Sequence, residues 1–317
     1  KKSTSKRFNS NTFVNEVNEK LATLKGRVDG LEAQQNGIEA GAFSSTTTMD
    51  GKAVMWIGGM DGATEIDGTD TESVQTGYTY TMNLNTSFSG DDNLYVRLKG
   101  GESGDVWELK PAGYHIETKN TGDAFRVDKI WYSFPVGDNI TAFAGPMIEN
   151  YYMYVTPSIY KPGALKAFKL GGNSNFGAST DTGFGFKYEA DNGFAVASNV
   201  VDKNGNSTGF FQDNGVSKWD TQIAFTQPRY HVSVTASNAQ NWTSQQYNAT
   251  AFGEDTASDS MGFAFRAYWM PEETGTAVPE ITVGYDVKDF ENGAVGTADD
   301  ADSWMVGLTW KDMFQAD

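Results

Sequence analysis

Residues 74–89, VQTGYTYTMNLNTSFS, decide the fold of this chain. Every second position from Tyr78 to Leu84 is apolar, and the positions between are Thr and Asn. A period of two predicts a β-strand. The pattern is longer than the usual strand of about five or six residues, and it fits a tilted strand that crosses a bilayer. One face carries Val74, Tyr78, Tyr80, Met82, Leu84 and Phe88.

The same alternation recurs along the chain and predicts an all-β fold. The apolar face is aromatic or β-branched in most repeats, and the opposite face is Gly, Ser, Thr, Gln and scattered charges. We predict twelve strands, near residues 50–59, 74–88, 93–100, 124–136, 140–148, 180–190, 194–202, 218–227, 230–237, 260–270, 281–288 and 303–311.

The connections between these strands alternate between long and short. The short ones contain turn-forming residues, as in Gly90-Asp91-Asp92, Asp191-Asn192-Gly193 and Pro228-Arg229. Sorting long loops to one end and short turns to the other is typical of an up-and-down antiparallel transmembrane β-barrel. The predicted fold class is therefore all-β, a barrel of this type.

Residues 13–40 differ, because their apolar positions follow a heptad repeat. Such a narrow apolar seam predicts a coiled coil between identical chains; an ordinary amphipathic helix packed on a domain is the alternative. Gln35 fills one core position. The other core positions are Val14, Val17, Leu21, Leu24, Val28, Leu31 and Ile38.

Strand order and loop length predict the topology. If the long loops are extracellular, the first strand starts in the periplasm, and the coil before it lies there too. We predict a linker at 1–12, a periplasmic coiled-coil stalk at 13–40, and an outer-membrane barrel at 41–317.

Composition excludes several classes of function. The net charge of −17 argues against a nucleic-acid partner, and the absence of cysteine excludes thiol chemistry. The chain contains no run of about 18 apolar residues, so no membrane-spanning helix is predicted. The basic start, KKSTSKRFNSN, has no signal-peptide core, so we expect a chain that was processed or cut from a longer one.

Four segments carry a resemblance to a known family: NEVNEKLATLKGRVDGLEAQ (15–34), AGAFSSTTTMDGKAVMWIGG (40–59), QIAFTQPRYHVSV (222–234) and SWMVGLTWKDMF (303–314). The chain resembles the cyanobacterial outer-membrane porins labelled carbohydrate-selective or iron-uptake porins. The resemblance implies a trimer, a barrel of about 16 strands, and a surface-layer-homology domain that binds the cell wall.

Two departures from that family matter. The wall-binding domain is absent, and only twelve strands are found. The end, DMFQAD, also lacks the terminal aromatic residue of the family's assembly signal. Either the barrel is smaller than the family's, or its last strands are missing from this chain; we favour the second.

Charged residues on the polar face are the predicted pore lining. The long third connection, 149–179, is expected to fold inward and narrow the pore. A weak anion preference follows from the basic excess; the alternative is that the charges offset one another in a poorly selective sieve. The lining or constriction residues are Arg97, Lys99, Lys161, Lys166, Lys169, Lys187, Glu189, Arg266 and Lys288.

No enzyme and no metal site are predicted. The only histidines are His115 and His231, and His231 and Ser233 are too far apart along a strand for a base and its nucleophile. The acidic loop DGATEIDGTDTE, 61–72, departs from a calcium-binding loop at Ala63 and Ile66, so only loose calcium binding is expected there.

The predicted function is an outer-membrane porin, a trimeric diffusion channel for inorganic ions or small hydrophilic solutes, including carbohydrates. The alternative is a structural tether between the outer membrane and the cell wall with a nearly closed pore. The expected partners are outer-membrane lipid, further copies of the chain, and the cell wall through a domain that this chain lacks.

Overall fold

The chain divides into two compact units, Lys1–Thr48 and Met49–Asp317. Among the residues described, no helix is long and apolar enough to cross a membrane. The computed structural model describes residues 18, 20, 21, 23–28, 46–59, 74–103, 119–155, 180–243, 257–272, 278–291 and 299–310.

The described residues of the first unit are part of the predicted coil and residues 46–48, where β1 begins. The described residues of the coil, which include 23–28, are helical, and the apolar seam residues Leu21, Leu24 and Val28 are exposed. Val14, Val17, Leu31 and Ile38 lie outside the described residues. The helix is thus confirmed over this part, and the coiled coil stays a prediction.

In the part of the chain that the structure describes, twelve strands form one sheet in which each strand pairs with its neighbours in sequence. All twelve predicted strands are confirmed, most of them within three residues at each end. The largest difference is β9, which runs further than predicted. The strands are β1 (Thr47–Gly58), β2 (Gln75–Thr86), β3 (Asn93–Glu102), β4 (Arg126–Val136), β5 (Ile140–Glu149), β6 (Thr180–Glu189), β7 (Phe194–Asp202), β8 (Ser217–Gln227), β9 (Tyr230–Thr243), β10 (Ala257–Trp269), β11 (Glu280–Glu291) and β12 (Asp300–Thr309).

The distribution of side chains over the two faces is the reverse of that in a water-soluble sheet. On β2, Thr79 and Thr81 are buried, whereas Tyr78 on the opposite face is exposed. We call the buried, polar side the inner face and the other side the outer face. The exposed outer-face residues include Phe184, Phe186, Trp219, Ile223, Val232, Phe263, Phe265, Val283, Tyr285, Trp304, Val306 and Leu308. Exposed apolar area on this scale marks a surface that meets something other than water.

The sheet is rolled around its inner face. A short segment that follows β5, residues 150–155, includes a 3-10 helix, Asn150–Met153. This segment contacts Arg97 on β3, Asp220 on β8 and the cluster that contains Ala264 of β10. One segment can reach strands so far apart in the sheet order only if the sheet curves around it.

Short turns join the strands at one end of the sheet, at residues 87–92, 137–139, 190–193 and 228–229. Gly193 adopts φ +92°, and a Cβ there would lie 2.1 Å from the Thr226 carbonyl oxygen, so only glycine fits. In the first turn, the Asp92 carboxylate accepts hydrogen bonds from the Ser89 amide (2.7 Å) and the Tyr132 hydroxyl (2.6 Å).

The predicted alternation of connection length holds through the first nine strands and then fades. The connection at 292–299 is shorter than the one at 270–279. The reason is that β9, β10, β11 and β12 extend into residues that were predicted to be loops.

Several bulges interrupt the pairing of the described strands, and two of them lie near the site. In β4, Arg97 pairs with Lys129 and Leu98 pairs with Val127, so Asp128 is the extra residue. In β5, the register shifts between Gly145 and Ile148, a stretch that contains Pro146, which has no N–H to donate. Bulges redirect side chains locally, and both of these lie beside the start of the inward-folded segment.

Candidate functional site

The inner face is a polar wall carrying charges that are mostly paired. Its residues alternate with those of the apolar outer face, and its large buried side chains include Lys129, Lys218, Gln222 and His231. Buried charges persist in proteins when they are paired and hydrogen-bonded. The inner wall is therefore the candidate site, and its charges decide what it can attract.

Three of the predicted lining cations form ion pairs. Arg97 pairs with Asp128, and its Nε lies 2.5 Å from Asp128 Oδ2. Lys187 Nζ lies 2.8 Å from Glu189 Oε2, which joins two residues that the sequence analysis named. Arg266 forms a two-point contact with the Asp286 carboxylate, with Nη2 to Oδ2 at 2.9 Å.

Lys99 and Lys288 also belong to the inner face, and both are buried. Lys288 Nζ stands 5.6 Å from the centroid of the Phe290 ring, a cation–π contact. These side chains are thus part of a packed wall. Lys161, Lys166 and Lys169 lie outside the described residues, and so does the whole of the acidic loop 61–72.

Two further buried lysines were not predicted. Lys129 pairs with Glu149 and donates to the Thr180 hydroxyl at 2.9 Å. Lys218 Nζ lies 3.6 Å from Asp220 Oδ2. Strict alternation with Asp220 could have identified Lys218. The position of Lys129 depends on the bulge at Asp128, and no local sequence pattern predicts that bulge.

The segment 150–155, which we call the luminal segment, crosses the space inside the sheet. Asp220 anchors it, since one carboxylate oxygen accepts from Asn150 Nδ2 at 2.7 Å and from the Tyr154 hydroxyl at 2.5 Å. One position further on, the Val155 amide donates to Gln222 Oε1 at 3.0 Å. The first residues of the third long connection therefore fold inward, and they are fixed to β8.

An aromatic stack attaches the opposite side of the luminal segment. Tyr95 and Trp131 stack with ring centroids 4.1 Å apart. Trp131 and Tyr152 follow at 4.6 Å, and Tyr152 and Tyr151 at 4.6 Å. Arg97 Nη1 also contacts the Tyr152 hydroxyl at 3.5 Å. The segment is thus held from two opposite walls, β3–β4 and β8.

Burial raises the pKa of two tyrosine hydroxyls in this segment. Burial, and after it the Asp220 carboxylate, raises the pKa of Tyr154 well above its usual value. Burial and the Glu149 carboxylate raise the pKa of Tyr152 to about 12. Both hydroxyls therefore stay protonated further into the alkaline range than an ordinary tyrosine, whose pKa is about 10.

The two halves of the inner wall differ in exposure. The inner faces of β7 to β11 are almost completely buried; Asn199, Gln222 and Thr235 are at most 2% exposed. On β2 and β3, by contrast, Asn83, Asn85 and Asn93 near the first short turn are partly exposed, whereas Thr79, Thr81 and Lys99 toward the other end of these strands are buried. The polar lining predicted from the sequence is thus partly accessible in one region and packed in another. The luminal segment packs against part of this buried half, at Asp220 and Gln222 of β8 and at Ala264 of β10.

In the described part of the chain, the Ser233 hydroxyl has no hydrogen-bond partner, so His231 and Ser233 do not form a bonded pair. His231 Nδ1 lies 2.8 Å from the Thr226 hydroxyl, and the ring stacks on Tyr268. No group of three or more His, Asp or Glu side chains in the described part of the chain is arranged to hold a metal ion.

Comparison with known proteins gives distant similarities, and no protein-family model matches the chain. An uncharacterized protein of Nostoc sp. is 30% identical over 133 residues, 38% of this chain and 23% of that protein. One of Synechocystis sp. is 28% identical over 135 residues, 41% of this chain and 24% of that protein. The chain matches only about a quarter of the length of either relative.

Solved porins have a similar arrangement of strands. A mutant Rh. blastica porin is 12% identical with a TM-score of 0.45, over 84% of this chain and 80% of the porin. Salmonella typhi OmpF is 11% identical with a TM-score of 0.42, over 84% and 86%. The chain thus has low structural similarity to solved porins and distant sequence similarity to uncharacterized cyanobacterial proteins.

Proposed function

We propose that the chain is a non-enzymatic diffusion channel of the bacterial outer membrane, for inorganic ions or small hydrophilic solutes. The carrying observation is the reversed sheet, whose exposed outer face is apolar and whose inner face is polar and charged. Lipid is the environment in which such an outer face is stable. The long connections then face outward from the cell, and the coil at 13–40 lies in the periplasm.

The passage we propose runs along the inner faces of β2 and β3. Asn83, Asn85 and Asn93 are partly exposed there, and Arg97 lies on the same wall. The luminal segment narrows the space from the other side. Polar side chains that stay accessible along a wall are what a hydrated solute needs.

Selectivity in this proposal is weak. Arg97, Lys187 and Arg266 each have a carboxylate partner, so these described pairs contribute little net field. Any anion preference comes from Lys161, Lys166 and Lys169 in the third connection, which we propose as the constriction. The resemblance and the heptad repeat support a homotrimer assembled through the coil.

A second candidate function is a structural tether with a nearly closed pore, anchored to the cell wall through a domain outside this chain. The observation that favours it is the burial of the inner faces of β7 to β11. A channel and a tether share the sheet and the coil, and they differ in whether ions pass.

Planar-bilayer recording of the detergent-purified full-length protein separates the two. Stepwise openings in groups of three support the trimeric channel. A reversal potential near zero in a salt gradient supports a pore lining of balanced charge. An anion-biased reversal potential supports Lys161, Lys166 and Lys169 as the source of an anion preference. Folded, trimeric protein without conductance refutes the channel and supports the tether.

A further inference from the structure

The connection between β7 and β8, residues 203–216, is an ordered loop at the end of the sheet opposite the short turns. The Asn204 carbonyl oxygen accepts from the amides of Ser207 (2.9 Å) and Gly209 (3.0 Å). Gln240 of β9 donates to the carbonyl oxygens of Gln212 (3.1 Å) and Asp213 (2.8 Å). These bonds fix where the loop presents its side chains.

The loop presents two adjacent phenylalanines, and one of them folds back onto the outer face. The Phe210 ring meets Phe184 of β6 edge-to-face, with centroids 5.3 Å apart at 64°. Gly205 leaves room for this ring, because a Cβ there would lie 3.1 Å from Phe210 Cε2. The loop therefore reaches down the outside of the sheet.

Phe211 projects from the same turn, and it is 63% exposed. Its φ of +59° lies in the left-handed region, which is costly for a bulky residue. Gly209, two residues earlier in the same turn, also has a positive φ, +98°. Exposing a phenylalanine ring to water in such a backbone conformation is unfavourable. The exposed ring should therefore contact an apolar partner.

The nearest apolar surface is the outer face itself. In the strand register, Phe184 pairs with Val200 and Val200 pairs with Trp219. Phe210 continues this surface from the strands to the loop. Aromatic residues at that level are the ones that occupy the boundary between lipid headgroups and acyl chains.

We propose that Phe210 and Phe211, the aromatic loop tip, insert into the interfacial region of the outer leaflet and anchor the sheet to lipid at that depth. The proposal rests on the proposed membrane location of the outer face. Its ligand is the headgroup–acyl boundary of a lipid bilayer, and a second copy of the chain is the competing occupant.

Single-site nitroxide labelling tests the proposal cleanly, because the chain has no cysteine. The full chain carrying Phe211→Cys is labelled and reconstituted in phosphatidylcholine vesicles. Collision rates with oxygen, which partitions into lipid, and with a water-soluble nickel chelate are then measured. The matched control is Ser207→Cys, an exposed position in the same loop.

A ratio of oxygen to nickel collisions several-fold higher at position 211 than at 207 is the expected result. Equal ratios would overturn the proposal, and so would protection from both reagents, which would mean contact with a second copy. Phe186→Cys, on the outer face of β6, keeps the two proposals apart. A lipid-exposed label at 186 with a water-exposed one at 211 refutes the loop anchor alone, whereas a water-exposed label at 186 refutes the membrane location.

Discussion

Replacing Tyr154 by phenylalanine should release the luminal segment while leaving the sheet intact. The substitution keeps the ring and removes one hydroxyl, which donates to Asp220 Oδ2 at 2.5 Å. Asn150 then remains as a donor to the same oxygen, at 2.7 Å. A hydrogen bond to a charged group contributes about 1.5–3 kcal/mol. Since each 1.4 kcal/mol is about a tenfold change in an equilibrium constant, opening of the segment should become about ten- to a hundredfold more frequent.

Amide hydrogen exchange measures that opening directly. The peptide covering 150–155 contains the Val155 amide, which is bonded to Gln222, and its exchange should accelerate by that factor. Tyr285→Phe is the matched control, since it removes a tyrosine hydroxyl from the exposed outer face. If exchange over 150–155 is unchanged in Tyr154→Phe while Tyr285→Phe also behaves as wild type, then this hydrogen bond does not hold the segment.

Three further predictions concern the turn, the wall and the outer face. Asp92→Asn should lower the melting temperature at pH 7, because hydrogen bonds from Tyr132 and then Ser89 stabilise the Asp92 carboxylate and hold its pKa below the usual range. The difference in melting temperature between wild type and variant should persist down to about pH 4 and vanish as the pH falls through the lowered pKa. Asp286→Ala removes the carboxylate partner of buried Arg266 and should lower the free energy of unfolding, measured in urea, by about 3–5 kcal/mol. The double variant Asp286→Leu with Arg266→Met should recover most of that stability, because it leaves no unpaired buried charge. Phe186→Lys should cost about 2–4 kcal/mol when folding into vesicles is followed, whereas Asn83→Lys on the partly exposed inner face should cost clearly less; equal costs would contradict the assignment of the two faces.

The strands and the assignment of their faces were predictable from sequence because they are encoded locally. A period of two places Tyr80 and Met82 on one side and Thr79 and Thr81 on the other, whatever the rest of the chain does. Turn residues such as Gly193 likewise act within a few positions. With neighbour-to-neighbour pairing, these local signals were enough to predict an antiparallel sheet of twelve strands and its polar inner face.

Sequence reasoning failed where one extra residue changes a register. The bulge at Asp128 lets Arg97 pair with it while Lys129 turns inward toward Glu149. A bulge shifts every later residue of its strand relative to the partner, and it depends on packing against both neighbours. Lys129 was missed for that reason.

The sequence by itself determined the strand pattern, the two chemically opposite faces and the lining candidates Arg97, Lys187 and Arg266. Only the tertiary structure decided that these cations are paired with carboxylates and that half of the wall is packed. Asp220 is far from Asn150 and Tyr154 in sequence, and it meets them only because the sheet rolls around the luminal segment. A periodic pattern records which way each side chain points, whereas contacts across the interior depend on the closure of the whole sheet.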